Sequence, residues 1–190
     1  MSFTKGEPMT FDPAVFRQAM SQLPTGVAVV ALSEEDRIHA MTVGSFTSLS
    51  LDPPLVLACI GGRAQMAPLF QKGQRFSANV LRGDQRALST YFAGSWQGDA
   101  PPPHRFLHWE GSPRLEGSVL SLACRVDQVV EGGDHLIVIA GVQAIHLGLT
   151  PRTPLIFFDH RYHQADAGTG DQAPDIEAQD EGPQAFYEIW

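Results

Sequence analysis

The stretch from residue 115 to residue 147 constrains the fold more than any other. Two long β-type runs, residues 115–131 and 135–147, are joined by Gly132-Gly133-Asp134, so short a turn that the runs must lie antiparallel. Shorter runs of the same character occupy residues 26–32, 38–46, 55–60, 75–81 and 155–158. The turns Ser33-Glu34-Glu35-Asp36 and Leu51-Asp52-Pro53-Pro54 separate the early ones. Helical signals are brief. Asp12-Pro13 is an N-cap followed by proline at the first helical position, with Phe16, Ala19, Met20 and Leu23 at helical spacing, predicting a helix that ends near Pro24. A helical turn is expected over residues 65–71, and a second helix, capped by Asp84, carries Leu88, Tyr91 and Phe92. Glycines and prolines break residues 93–113, which read as a long loop contributing to a ligand or subunit surface. Six or seven mostly antiparallel strands with a few short helices predict a mainly β chain, folded as a closed or nearly closed barrel because closure removes unpaired edges.

A chain of 190 residues with 43% hydrophobic and 18% charged residues suits one domain around one core. The expected organisation is an N-terminal extension over residues 1–10, a barrel domain over 11–164 and an acidic tail over 165–190. Residues 1–165 carry 14 acids and 13 bases, whereas residues 166–190 carry seven acids and no Lys or Arg. A nearly neutral body without clustered bases argues against nucleic-acid binding. The longest aliphatic runs, residues 27–32 and 55–60, fall far short of the roughly 20 residues that cross a bilayer, so no membrane association is expected. No secretory signal is visible, which makes the cytoplasm the default location. Cys59 and Cys124 sit in apolar runs as expected buried thiols, with a disulfide between them left open. The terminal Phe186, Tyr187, Ile189 and Trp190 pack either onto this subunit or a twin, or onto a different protein.

Familiar catalytic signatures are missing. No Gly-x-Gly-x-x-Gly follows a strand and opens a helix, no phosphate-binding Walker loop occurs, and no nucleophile elbow accompanies the serines. His104 with His108, and His160 with His163, lack Cys or Glu partners at zinc spacing, so no metal is expected.

The informative motif is Met41-Thr42-Val43-Gly44-Ser45-Phe46-Thr47-Ser48-Leu49-Ser50-Leu51-Asp52-Pro53-Pro54. It resembles the flavin reductase-like family, the small reductase components of two-component flavin monooxygenases, whose fold is the FMN-binding split barrel. Phe16-Arg17-Gln18-Ala19-Met20, Thr25-Gly26-Val27, Phe76-Ser77-Ala78-Asn79-Val80-Leu81, Gly133-Asp134-His135 and Gly141 match in the family's order. The resemblance implies an antiparallel split β-barrel, FMN or FAD with NADH or NADPH as hydride donor, a homodimer, and a partner monooxygenase.

An isoalloxazine edge of carbonyls and N3–H wants backbone donors and acceptors with small side chains, which Val43, Gly44 and Ser45 supply. Thr42, Ser45 and Ser48 add hydroxyls. The resemblance places Cys59, Ile60, Gly61 and Gln65 at the ribityl-phosphate end. There, relatives' Ser or Thr is replaced by Gly61-Gly62-Arg63-Ala64-Gln65, in which Arg63 is either a phosphate partner or a solvated turn residue. It also implies that Ser77, Ala78, Asn79 and Val80 lie beside the dimethylbenzene or ribityl portion, and that Arg86 reaches an adenylate or phosphate. Gly133, Asp134 and His135 would border the nicotinamide, with His135 the candidate catalytic residue and Tyr162 beside the same cleft. The same glycines and Asp134 also make a plain hairpin turn with a surface histidine. The expected activity is NAD(P)H-dependent reduction of flavin. The alternatives are a flavin-binding module without turnover and an oxidoreductase that keeps FMN and acts on another small molecule.

Overall fold

The computed structural model describes residues 12–148 and 153–165. The expected N-terminal extension and, apart from Ala165, the acidic tail with its aromatic terminus lie outside the described residues. Helix α1 (Pro13–Met20) starts as expected, with Asp12 Oδ1 accepting from the Ala14 amide at 2.8 Å. It ends at Met20 rather than at Pro24: beyond Ser21 the Gln22 and Leu23 amides bond three residues back, to the Ala19 and Met20 carbonyls, in place of the four-residue helical spacing.

Strands β1 (Thr25–Gly26), β2 (Ala28–Glu34), β3 (Arg37–Val43), β4 (Thr47–Ser50), β5 (Leu55–Gly61) and β6 (Arg75–Val80) precede helix α2 (Arg86–Phe92). After it come β7 (Phe106–Trp109), β8 (Ser112–Leu115), β9 (Leu120–Gly132), β10 (His135–Leu147), β11 (Leu155–Phe158) and β12 (Arg161–Gln164). Seven of these form one antiparallel sheet in the order β3-β2-β6-β9-β10-β5-β4. Its two outer strands, β3 and β4, are consecutive in the chain. Laid flat, seven strands at about 4.8 Å spacing would separate them by about 29 Å, but the four steps from Val43 to Thr47 reach at most about 14 Å. The sheet therefore curls back on itself, consistent with a split barrel.

Alternation along the curled strands fills the interior. Val30, Leu32, Val56, Ala58, Ile60, Phe76, Ala78, Cys124, Val126, Val138 and Ala140 form the main core. Met66, Ala67 and Phe70, around the expected helical turn (a 3-10 turn at Ala67–Leu69), plug one end, with Phe70 packed edge-on to Phe76 at 5.6 Å. Strand β2 is apolar without alternation because both its faces are covered: Val27 and Val29 pack with Leu81, Leu88, Leu115 and Leu155 in a second cluster.

Three expectations need correction. Residues 93–113 are not all loop. Their end holds β7 and part of β8, joined through Glu110 and Gly111 at positive φ (51° and 71°), the backbone of a two-residue hairpin turn. The run expected from residue 115 accordingly breaks at Gly117 (φ 81°), and β9 starts at Leu120. Asp84 does not cap α2. Its carboxylate is taken by Arg82, Nε to Oδ1 at 2.6 Å and Nη2 to Oδ2 at 2.9 Å, and Gln85 stands at the cap position.

Candidate functional site

The join between β3 and β4 carries the chain from one outer strand of the curled sheet to the other. Ser45 fastens it: its hydroxyl donates to the Cys59 carbonyl at 2.9 Å and accepts from the Cys59 amide at 3.0 Å. Gly44 beside it is exposed, and a Cβ there would stand 3.2 Å from Thr25 Oγ1. Strand β4 then runs as the sheet's edge, paired among the described residues only with β5, with Ser48 exposed. Its outer backbone groups are the donor and acceptor run that a planar heterocycle edge requires.

Beside Gly44, on the side of the second apolar cluster, lies a cavity of about 160 Å³ lined by Thr25, Val27, Thr42, Gly44, Ser89, Phe157 and Tyr162. Thr42 Oγ1 donates to the Ser89 carbonyl at 2.8 Å, and Ser89 Oγ lies 2.9 Å from Tyr162 Oη, so Ser89 ties β3, α2 and β12 together through its carbonyl and its hydroxyl. The Arg86 guanidinium sits 5.3 Å above the Tyr162 ring, a cation–π contact. Thr42, Gly44, Arg86 and Tyr162 were expected from the sequence. Thr25, Val27, Ser89 and Phe157 were not assigned, although Thr25-Gly26-Val27 carries part of the resemblance and so was a readable signal for the first two. Ser89 and Phe157 enter only through long-range packing.

A second cluster forms where β5 meets the β9–β10 turn. His135 pairs with Gly61 across the ladder, two residues beyond the Ile137–Cys59 pair. At about 3.4 Å per residue, that sets His135 roughly 7 Å along the strand from the Ser45 fastening. His135 Nδ1 lies 2.7 Å from Asp134 Oδ1. An ionised carboxylate only accepts, so Nδ1 carries the proton and Nε2 is left free, 3.9 Å from where a Gly61 Cβ would stand. The hydrogen bond from His135, and more weakly the charges of His135 and Arg63, hold the Asp134 carboxyl below its ordinary range. The Gly62 amide donates to the Asp134 carbonyl at 2.9 Å, and Gly133 (φ 70°) makes the turn. Gly61, Gly62, Arg63, Asp134 and His135 therefore meet at one end of the barrel. Tyr162 belongs with the Gly44 cavity rather than directly beside His135. Arg63 and Gln65 are exposed on the turn after β5.

Other expected contacts are sealed off. Ser77, Ala78 and Asn79 have no exposed surface. Asn79 Nδ2 donates to the Val29 carbonyl at 3.0 Å and to Ser77 Oγ at 2.8 Å, its Oδ1 accepts from the Leu115 amide at 3.0 Å, and Ser77 Oγ donates to the Pro113 carbonyl. These side chains dock the β7–β8 hairpin onto β6 and offer nothing to a ligand. Val80, half-buried at the strand end, stays closer to the surface. Ile60 and Val43 point into the core, leaving only their backbone to the site. Cys59 and Cys124 are free thiols, and burial pushes the Cys124 thiol up to about 12.

Residues 20–166 match the family model described as "Flavin reductase like domain". The chain is 37% identical over 168 residues to the NADH-dependent flavin reductase StyB of Pseudomonas fluorescens, covering 86% of this chain and 96% of that one. It is 36% identical over 151 residues to the reductase component of 4-hydroxyphenylacetate 3-monooxygenase of Thermus thermophilus, covering 78% and 94%. Among solved structures, the flavin reductase PheA2 superposes with a TM-score of 0.76 at 35% identity, covering 82% of this chain and 99% of that chain. The styrene monooxygenase flavin reductase of Pseudomonas putida S12 gives 0.72 at 38% identity, covering 80% and 97%.

Proposed function

The chain belongs to the flavin reductase-like domain family, and from that premise we propose that it oxidises NADH, reduces FMN or FAD, and supplies the reduced flavin to a partner monooxygenase. The observation that carries the reading is the join between the two outer strands at Gly44 and Ser45, where a side-chain-free position, an edge strand and a hydroxyl-lined cavity meet. The residues fit a flavin. Gly44 and the outer backbone of β4 suit the ring edge, the exposed Ser48 hydroxyl suits the ribityl chain, and Arg63 or Arg86 suits an anionic group. Bound flavin would supply the hydride acceptor for the nicotinamide.

The protein's own share is positional. His135, with Asp134 holding its Nδ1 proton, presents Nε2 as an acceptor for a carboxamide N–H, so the nicotinamide is oriented without any proton being moved. No acid–base pair is needed, because hydride transfer between the rings requires none from the protein.

Homodimerisation is part of the proposal. Among the described residues, α1 buries none of its side chains, and Val15, Phe16, Met20 and Leu23 remain exposed. An amphipathic helix with its apolar side in water gains by covering it against a second copy. No helix among the described residues is long and apolar enough to cross a membrane. We place the enzyme in the cytoplasm, where NADH is at hand.

The test is a steady-state assay of NADH oxidation with added FMN or FAD. Acceleration by free flavin is expected. Tight flavin retention with no NADH-dependent bleaching would instead indicate a binding module, and bleaching without flavin release would indicate an enzyme acting on another small molecule.

A further inference from the structure

Helix α2 has a cavity on each side. One is the Gly44 cavity, reached by Ser89. The other is a groove of about 600 Å³ lined by Arg82, Asp84, Gln85, Ala87, Leu88, Pro102, Pro103, His104, Arg105 and Glu116. We infer that this groove binds the adenosine 5′-phosphate portion of a dinucleotide, an inference that rests on the reductase reading for the source of that group.

Its size falls in the range of small-molecule sites, about 300–1,000 Å³. Ala87 and the exposed Pro103, backed by the buried Leu88 and Pro102, give the apolar surface that a base face needs. His104 Nδ1 is 2.8 Å from the Pro102 carbonyl; a carbonyl only accepts, so Nδ1 donates and Nε2 is left for a ligand donor such as an exocyclic amine.

The charges are arranged in closed pairs. Arg105 holds Glu116 through Nε–Oε2 at 2.9 Å and Nη2–Oε1 at 2.6 Å, and Arg82 holds Asp84 in the same bidentate way. Each pair leaves guanidinium N–H donors and carboxylate lone pairs unused, side by side. A groove of this kind suits a group that both donates and accepts: a ribose diol gives hydrogen bonds to carboxylate, and a phosphate takes them from guanidinium. A bare polyanion would meet two carboxylates. Gln85 keeps the arrangement in register, its Oε1 accepting from the Arg82 amide at 2.8 Å and its Nε2 donating to the Glu116 carbonyl at 3.3 Å. A helix with its side chains is about 10–12 Å across, so a dinucleotide whose ring end lies near Gly44 has its adenosine end within reach of the groove.

FAD and NADH both carry this group, and the experiment separates them. AMP is titrated calorimetrically into the full-length wild-type protein, Glu116→Gln and Ala87→Gln, with thermal melts confirming that each is folded. Saturable AMP binding is expected, weakened at least roughly five-fold by either substitution, which corresponds to about 1 kcal/mol. KM ratios are then measured. A rise in the FAD-to-FMN ratio in the variants assigns the groove to the flavin adenylate, and a rise in the ratio of NADH to reduced nicotinamide mononucleotide assigns it to the hydride donor. Absence of AMP binding, or neither ratio moving, overturns the inference. The AMP titration needs no turnover, so it still reads the groove if the protein proves not to reduce flavin.

Discussion

Replacing Asn79 with alanine separates a structural role from a ligand-binding one. Its side chain makes three hydrogen bonds at full burial, to the Val29 carbonyl, to Ser77 Oγ and from the Leu115 amide. Truncation strands the Leu115 N–H in the interior, at about 1–3 kcal/mol, and removes two donated bonds worth about 1 kcal/mol each. The vacated volume adds up to about 1 kcal/mol at roughly 24 cal/mol per Å³. Partial relaxation brings the expected loss to about 3–5 kcal/mol, or roughly 6–20 °C in Tm for a chain of this size. Urea denaturation followed by far-ultraviolet circular dichroism measures it, with FMN affinity determined by fluorescence on the folded protein. The expected result is a large loss of stability with FMN affinity changed by no more than about two-fold. A variant as stable as wild type that binds FMN ten-fold more weakly would refute the assignment of Asn79 to the core and restore it to the flavin site.

Gly44→Val projects a branched side chain toward Thr25 and the hydroxyl-lined cavity; crowding of about 1–3 kcal/mol predicts roughly 5- to 150-fold weaker flavin binding, with a melting curve close to wild type. His135→Ala removes one hydrogen-bonding partner of the nicotinamide and is expected to raise the NADH KM roughly three- to ten-fold, leaving flavin affinity within two-fold; an unchanged KM returns His135 to a surface turn. The His146 imidazole, whose ring centroid is 6.2 Å from that of Trp109, is held below its ordinary pKa by desolvation and then by the charge of Arg114. Between the folded and unfolded values the unfolded chain binds more protons, so this contribution to stability is complete above about pH 6.5 and is lost as the pH falls below it. Denaturation midpoints over that range should decline less steeply in His146→Gln than in wild type.

Much of the barrel was legible because its signals are local. The turn at Gly132-Gly133-Asp134 set the long β9–β10 hairpin, Asp12-Pro13 set the start of α1, and the apolar run of residues 27–32 marked a strand. The motif around Gly44 and the Gly133-Asp134-His135 turn likewise drew attention to segments that the fold places at the β3–β4 join and at the end of β5. The β7–β8 hairpin was missed because Glu110 occupies a positive-φ position that Asn, Asp or Gly more commonly signal, and the surrounding prolines masked the strands. Asp84 was misassigned because a capping residue and an ion-pair partner look alike until Arg82 is seen folded against it.

Chain order and turn chemistry were thus sufficient for the longer strands and their antiparallel sense, and the family resemblance for the class of cofactor. Which side chains face a ligand was decided only in three dimensions. Ser77 and Asn79 are as polar as Ser48, yet they sit inside because a hairpin some thirty residues later closes over them. The hydrogen bonds of Ser89, from Thr42 at its carbonyl and with Tyr162 at its hydroxyl, join residues 47 and 73 positions apart. Period and propensity report a residue's neighbours along the chain, whereas burial and hydrogen-bond partnership depend on what the closing sheet brings against it.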